Sequence, residues 1–254
     1  MKGDFRITLA YLKDLGACRE GQREFQKHFP NGGGYQEVLD KCAELDRYDL
    51  GSWLMNRLGP TDEVRIYEET IDDPEKTILF AGRLEFRRPA SVKRMRAGCG
   101  IEAGCGIEAG YGIEAGCGIE AGDGIKAGDG IKAGLGIGAG DGIKAGWGIE
   151  AGWGIKAGLG IEAGCGIEAG WGIKTGCGIE AGCGIKAGCG IEAGCGIEAG
   201  LGIEAGLGIE AGEGFGVFAG LSVRIIDWKN CAVVKARTKP ENIISGYWEE
   251  EAQQ

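Results

Sequence analysis

Ala97-Gly98-Cys99-Gly100-Ile101-Glu102 is the first full copy of a six-residue unit that decides how this chain folds. The unit, Ala-Gly-x-Gly-Ile-Glu/Lys, recurs nineteen times without an insertion and ends with Leu207-Gly208-Ile209-Glu210. A strict short period indicates stacked, near-identical structural units. One unit is too small to bury its own apolar face, so the isoleucines leave water only if successive units coil and stack on one another. The repeat therefore predicts a mainly β fold, a hexapeptide-repeat β-solenoid.

Within the repeat, isoleucine alternates with the glutamate or lysine that follows it. Along an extended segment this places isoleucine inside and charge outside, and the alanine two residues later shares the isoleucine face. Gly-x-Gly is left to form the corner, where positive φ or a close backbone approach would exclude a Cβ. We predict that x points outward, because Trp, Tyr, Asp and Cys could not all share one narrow core. In the competing register, seen in left-handed hexapeptide β-helices, a small residue at x points inward.

The repeat is compatible with two coil lengths. Three hexads per coil give a triangular prism of about six coils, roughly 30 Å long at ~4.8 Å per rung. Two hexads per coil give a flatter helix of about nine and a half coils, roughly 45 Å long. We favour the triangular, left-handed parallel β-helix because it resembles known hexapeptide β-helices.

The flanks of the repeat have different patterns. The predicted segments are a helical N-terminal module (1–60), a β-strand pair with a junction or N-terminal cap (61–96), the solenoid (97–214) and a C-terminal β cap with an acidic tail (215–254). The helical module ends at the helix stop Gly59-Pro60. The strand pair is predicted from a period of two, with its turn at Asp72-Asp73-Pro74. Caps are needed because the last rung of a solenoid is otherwise an open edge that recruits other chains.

The formal net charge of −10 resides in the repeat. Residues 97–213 hold thirteen Glu and three Asp against six Lys, which gives −10, while the remaining 22 acidic and 22 basic side chains cancel. This imbalance disfavours direct binding to a nucleic-acid backbone and leaves a basic partner open. Solvation, with lysines neutralising glutamates on neighbouring rungs, is the simplest reason for the charged columns. The functional alternative is an acidic, nucleic-acid-mimicking decoy for a DNA- or RNA-binding protein.

Eight of the eleven cysteines occupy the x position. Their odd number, the absence of a signal peptide at Met1–Asp4 and the lack of an apolar run near ~20 residues predict reduced thiols in a cytoplasm and no membrane partner. Cysteines spaced by 12 or by 18 residues would lie on adjacent rungs, depending on the coil length. Such a ladder could hold a soft metal, but Cys-x5-Cys is not a zinc spacing and no histidine joins it. We therefore predict no metal site and no cofactor.

The sequence does not contain a recognisable set of catalytic side chains. Hexapeptide β-helices are best known in acyltransferases and carbonic anhydrases, which place a histidine at a groove between subunits as a general base or zinc ligand. The single histidine here, His28, lies outside the repeat beside Phe25 and Phe29, as a packed or surface helix residue would. The Gly-x-Gly triplets lack the setting of a phosphate-binding loop. We predict a protein that is not an enzyme, with a hexapeptide-type acyltransferase using His28 as an alternative.

The repeat array, followed by Gly216-Val217-Phe218-Ala219-Gly220-Leu221, resembles repeat-bearing proteins of unknown function encoded by bacteriophages and prophages. The pattern Ile7-Thr8-Leu9-x-Tyr11-Leu12, with Ala17-Cys18 and Phe25, also looks like a short module that recurs in phage proteins. The resemblance brings no catalytic residues. It implies an accessory protein made in the cytoplasm of an infected bacterium, where binding a host defence component is a common activity.

The leading hypothesis is therefore a non-enzymatic, phage-encoded protein whose solenoid binds a host protein to counter a host defence system. Aromatic residues at variable outward positions suit an interface. The candidate partner-binding residues all occupy x and are Trp147, Trp153, Trp171, Tyr111, Asp123, Asp129 and Asp141. The terminal caps also leave room for an end-to-end homodimer.

Overall fold

The computed structural model describes residues 6–250, which form a small helical region followed by a parallel β-solenoid. The helices are α1 (Leu9–Asp14), α2 (Arg19–His28), α3 (Tyr35–Glu44) and α4 (Tyr48–Leu58), and a short antiparallel pair joins β1 (Arg6–Ile7) to β2 (Gly33–Gly34). The hydroxyl of Thr8 caps α1 by accepting a hydrogen bond from the Tyr11 amide, and Gly59 ends α4 with φ +75°. The expected N-terminal helical region is confirmed. The segment Met1–Asp4 lies outside the described residues.

The remaining strands belong to the solenoid. Before the repeat come β3 (Val64–Tyr67), β4 (Ile71–Phe80), β5 (Arg83–Phe86) and β6 (Ala90–Ala97). Strands β7 to β24 are three-residue segments that recur every six residues, from Ile101–Ala103 to Ile203–Ala205. The last are β25 (Ile209–Glu210), β26 (Val217–Phe218), β27 (Val233–Ala236), β28 (Ile243–Ser245) and β29 (Tyr247–Glu250). A 3-10 helix (Ile225–Asp227) and α5 (Trp228–Cys231) lie between β26 and β27.

One coil contains eighteen residues. Ile119 pairs in parallel with Ile101 on one side and with Ile137 on the other, and the same register continues through the repeat. Three hexads per coil are therefore confirmed, and the flatter two-hexad coil is wrong. Each coil contributes one strand to each of three faces, which we number in chain order from Ile101–Ala103 (face 1), Ile107–Ala109 (face 2) and Ile113–Ala115 (face 3). Corner 1 precedes face 1, corner 2 precedes face 2, and corner 3 precedes face 3.

The solenoid has about ten turns rather than the six expected from the hexads. Face 1 alone contains nine strands, from β3 to β25. The additional turns come from segments without hexads: β3 to β6 precede the repeat, and β26 to β29 follow it, all in parallel pairing. These segments can continue the coil because Leu84, Met95 and Val217 pair with repeat isoleucines and fill the same inward position.

Residues 61–96 differ from the predicted strand pair. Strand β3 pairs in parallel with β5, and β4 pairs in parallel with β6. Asp72-Asp73-Pro74 is not a turn but lies within β4, which contains a register irregularity between Asp73 and Thr77. At the other end, Glu249 and Glu250 of the expected acidic tail belong to β29, and Glu251 lies outside the described residues.

The glycine that follows the alanine of most hexads is required by a close approach of neighbouring turns. A Cβ on Gly116 would lie 2.0 Å from the carbonyl oxygen of Gly98, and the glycines at this position from Gly122 to Gly212 meet nearly the same obstacle. Gly104 and Gly110, beside the turn that lacks hexads, are exceptions, with the nearest atom 3.7 and 3.6 Å away. Within 97–213 no residue has a positive φ. Glycine is therefore needed at the corner because of close contact between backbones, and not because of a positive φ.

The helical region covers the first turn of the solenoid. Gln36 of α3 donates from Nε2 to the Leu79 carbonyl oxygen (2.8 Å) and accepts at Oε1 from the Ala81 amide (3.0 Å), so its amide group satisfies one backbone group of β4 and one just after the strand ends. Lys93 forms an ion pair with Asp46 at 2.7 Å, which holds the pKa of Asp46 below its usual value. These contacts give the open edge of the sheet a partner. Among residues 6–250, no helix has the length and apolarity needed to cross a membrane.

Candidate functional site

The x residues point outward, as predicted. The exposed fraction is 68% for Trp147, 53% for Trp153 and 61% for Trp171, whereas the isoleucine of every hexad is buried. An exposed tryptophan leaves a large apolar surface in water, which is unusual unless another molecule covers it. The residues at the variable positions therefore lie on three outer corners and do not contribute to the core.

The eighteen-residue coil sorts these outward residues into three columns. Corner 1 carries Cys99, Cys117, Leu135, Trp153, Trp171, Cys189 and Leu207; corner 2 carries Cys105, Asp123, Asp141, Leu159, Cys177, Cys195 and Glu213; corner 3 carries Tyr111, Asp129, Trp147, Cys165, Cys183 and Leu201. Corners 2 and 3 contain acidic residues. Corner 1 contains no charged residue on any of seven successive turns, so it forms one continuous apolar edge. We call this column the corner-1 ridge.

Two tryptophans occupy the centre of the corner-1 ridge. Their rings stack with centroids 5.4 Å apart and planes 6° from parallel. The backbone fixes the spacing of the two residues, because the Trp171 amide donates to the Trp153 carbonyl oxygen (2.8 Å) and the Trp153 amide donates to that of Leu135 (3.1 Å). Since the rungs are rigidly hydrogen-bonded, the two indoles are held in position before any partner arrives.

The seven candidate residues from the sequence do not form one site. Trp147 lies on corner 3, away from Trp153 and Trp171 on corner 1. Tyr111 and Asp129 are on the two turns before Trp147 on the same corner, where the Asp129 amide donates to the Tyr111 carbonyl oxygen (3.2 Å). Sequence proximity placed the three tryptophans together, but consecutive hexads project their x residues from different corners.

Tyr111 contacts the helical region. The guanidinium of Arg94 lies 4.6 Å from the Tyr111 ring centroid and 4.7 Å from that of Tyr48 in α4, so the cation is held between two aromatic rings. This arrangement stabilises the helical region against corner 3. Tyr111 therefore has a structural role.

The remaining candidates, Asp123 and Asp141, are neighbours on corner 2. The Asp141 amide donates to the Asp123 carbonyl oxygen at 3.2 Å. Two carboxylates on adjacent rungs repel each other, and exposure to water reduces that repulsion. Within residues 6–250, no group of three or more His, Cys, Asp or Glu side chains has a geometry that could hold a metal ion.

Most lysines of the charged columns on the faces form ion pairs with glutamates on neighbouring turns. Five of the six repeat lysines form such pairs: Lys126 with Glu108, Lys132 with Glu150, Lys144 with Glu162, Lys174 with Glu192 and Lys186 with Glu204. Lys156 differs, because its neighbours in register are Gly138 and Lys174. Gly138 stands where other hexads carry Glu or Lys, so Lys156 has no carboxylate beside it on face 1. An uncompensated cation thus follows Trp153 by three residues, next to the corner-1 ridge.

The cysteine ladders follow the eighteen-residue spacing. Cys117 follows Cys99, and Cys183 follows Cys165, on adjacent turns of corners 1 and 3; the backbone hydrogen bond between each pair is 2.9 Å. Burial, with the neighbouring thiol as a second cause, raises the pKa of Cys99 and of Cys183. Cysteines twelve residues apart, such as Cys165 and Cys177, lie on different corners. All eleven are free thiols.

His28 lies in the helical region and not beside a face of the solenoid. It ends α2 and contributes to the wall of a cavity of about 300 Å³, whose other lining residues also belong to the helical region. Its Nε2 atom is 3.8 Å from Glu24 Oε2. No pattern in the sequence predicts this cavity, because its walls come from four separate segments.

Residues 1–58 are similar to the family described as the YdhT N-terminal domain. The matched segment contains all four helices α1 to α4 and ends before the first strand of the solenoid. No curated protein and no solved structure matches the chain. The similarity covers the helical region alone, which is fewer than a quarter of the 254 residues.

Proposed function

We propose that this protein is a non-enzymatic scaffold that binds another protein along the corner-1 ridge. The observation that carries the proposal is the uninterrupted apolar character of that corner, with the stacked pair Trp153 and Trp171 at its centre. Tryptophan is enriched among residues that dominate binding energy at protein interfaces. The ridge is about 29 Å long at ~4.8 Å per rung, which suits an elongated contact with a protein surface.

The charges beside the ridge define the partner further. Lys156 has no carboxylate next to it in its column, and an acidic group of a partner can complete the pair that the other repeat lysines make internally. We therefore expect a partner surface with an apolar groove flanked by a carboxylate. Charge complementarity of this kind fixes register and accelerates association more than it adds affinity.

The resemblance of the repeat to phage and prophage proteins supports a bacterial host protein as the partner, and the host cytoplasm as the place of binding. Inactivation of a host defence component is the role we propose for the complex. The helical region covers the first turn of the solenoid and leaves Trp153 and Trp171 exposed for this contact.

The test uses a comparison between corners. The tagged full-length chain is incubated with bacterial lysate, alongside a Trp153→Ser/Trp171→Ser variant and a Trp147→Ser variant that removes a tryptophan of similar exposure from corner 3. We expect the double variant to lose at least tenfold in affinity for the captured protein, which corresponds to about 1.4 kcal/mol, and Trp147→Ser to bind normally. Equal capture by all three forms, or loss only in Trp147→Ser, would contradict the proposal.

Site-specific crosslinking gives an independent readout. A photoreactive amino acid in place of Leu135 lies on the ridge, and the same amino acid in place of Leu159 lies on corner 2. The same captured protein should crosslink from position 135 and not from position 159. Binding that disappears in high salt but ignores both tryptophans would instead favour the charged faces and the acidic-decoy alternative.

A further inference from the structure

The helical region contains a largely apolar cavity, partly open to solvent, that is separate from the corner-1 ridge. Its volume is about 300 Å³, room for about ten water-sized groups, which is the lower end of the range for small-molecule sites. Helices α2, α3 and α4 form most of the wall through Phe25, Val38, Leu54 and Trp53. Water gains little against these four apolar side chains, which supply few of the two to four hydrogen bonds that a buried water needs.

One polar atom of a residue in this wall has no hydrogen-bond partner. The Nε2 atom of His28 is buried, and no group within residues 6–250 makes a hydrogen bond to it. The nearest carboxylate oxygen, Glu24 Oε2, is 3.8 Å away, which is too long for a hydrogen bond. A buried polar atom without a partner is costly, so a ligand that bonds to it gains affinity.

The charges around the cavity indicate a neutral ligand. Arg47 is paired with Glu20 and with Asp49, both at 2.9 Å, and Lys41 is paired with Glu44 at 2.5 Å. A charged ligand would have to compete with these pairs. Cys42, on the α3 side of the wall, also reports a poorly hydrated site, because burial, followed by the nearby Asp49 charge, raises the pKa of its thiol to about 11.

We propose that this cavity binds a small neutral molecule of mainly aromatic or aliphatic character that carries one hydroxyl group, and that the hydroxyl bonds to His28 Nε2. A hydroxyl can donate or accept, so it suits either protonation state of the ring nitrogen. The site belongs to the segment that matches the YdhT N-terminal domain, and its ligand would not depend on what the solenoid binds.

The test compares 2-naphthol with naphthalene, which has the same ring system without the hydroxyl. Binding to the full-length chain is measured by equilibrium dialysis. We expect one molecule of 2-naphthol per chain, bound about fivefold more tightly than naphthalene. His28→Phe should remove this preference while both compounds still bind, since the ring volume is kept.

A second variant locates the site. Cys42→Phe projects a ring into the cavity and should weaken both compounds at least tenfold, and Trp147→Ser on the distant corner 3 should change neither. Circular dichroism checks that each variant is folded, and Cys42→Met replaces Cys42→Phe if the larger side chain prevents folding. The proposal is overturned if neither compound binds saturably, if filling the cavity leaves binding unchanged, or if folded His28→Phe keeps the preference for 2-naphthol.

Discussion

Gly146 lies so close to Gly128 on the preceding turn that a Cβ on Gly146 would stand 1.9 Å from the Gly128 carbonyl oxygen. Real Cβ atoms do not approach an oxygen this closely, so the two turns would have to separate. The second glycine of the same corner, Gly148, is different: its Cβ would lie 3.3 Å from the Gly166 carbonyl oxygen. The first glycine of this hexad therefore leaves no space for a Cβ, whereas the second leaves almost enough.

Gly146→Ala should consequently destabilise the solenoid by about 3 kcal/mol, the upper part of the usual range for overpacking. Gly148→Ala is the matched control, with an expected change within about 1 kcal/mol, since only a slightly tight contact opposes the loss of chain entropy in the unfolded state. Thermal unfolding followed by circular dichroism at the solenoid's β signal measures both. Equal melting temperatures for the two variants would show that turn spacing does not demand the first glycine.

The charged column of face 1 can be completed at position 138. Gly138→Glu should pair with Lys156 and raise the free energy of unfolding by roughly 0.5–1 kcal/mol, because an exposed ion pair and the loss of a strand glycine together outweigh the repulsion from Glu120, the other neighbour in register. Space is available, since the nearest atom to a Cβ there is Glu120 Cγ at 3.9 Å.

Gly138→Ala separates the two contributions to that gain, because it removes the glycine without adding charge. The excess of Gly138→Glu over Gly138→Ala should shrink as salt is added. An excess that ignores salt, or no excess at all, would mean that Lys156 gains nothing from a carboxylate at this position. Both variants are compared by thermal unfolding at low and high ionic strength.

Gln36 should be needed to close the N-terminal edge of the solenoid. Gln36→Leu leaves the Leu79 carbonyl and the Ala81 amide without their side-chain partner, and we expect a loss of about 1–3 kcal/mol together with more self-association. Gln26→Leu, at an exposed position of α2, is the control for surface hydrophobicity. Chemical denaturation and light scattering provide the two readouts. Equal stability and equal self-association of the two variants would show that Gln36 does not cap the edge.

Cys42 should be the slowly reacting thiol of the helical region. Its pKa is raised from 9.0 to about 11, mainly by burial. At pH 8 ionisation alone lowers its thiolate fraction about a hundredfold relative to a thiol of pKa 9.0. Alkylation by iodoacetamide, followed by peptide mass spectrometry, should modify exposed Cys18 well before Cys42, and Cys42 should gain reactivity as the pH rises from 9 towards 11. Equal rates at pH 8 would contradict the burial of Cys42.

The hexad by itself determined the fold class, the inward isoleucine and the outward x residue. Each of these follows from local rules, because side chains alternate along a strand and the isoleucine of every hexad has the same sequence neighbours. The sequence could not determine the number of turns. Segments such as Ile71–Phe80 lack the hexad and join the coil only because the end of the stacked sheet offers them free hydrogen-bonding groups.

The tertiary structure alone decided which outward residues are neighbours. Trp147 and Trp153 are six residues apart in sequence yet occupy different corners, whereas Trp153 and Trp171 are eighteen apart and stack. The coil length sets this grouping, and identical repeats are compatible with more than one coil length. The cavity beside His28 likewise depends on how helices from separate segments pack, which is a matter of side-chain complementarity that periodicity does not encode.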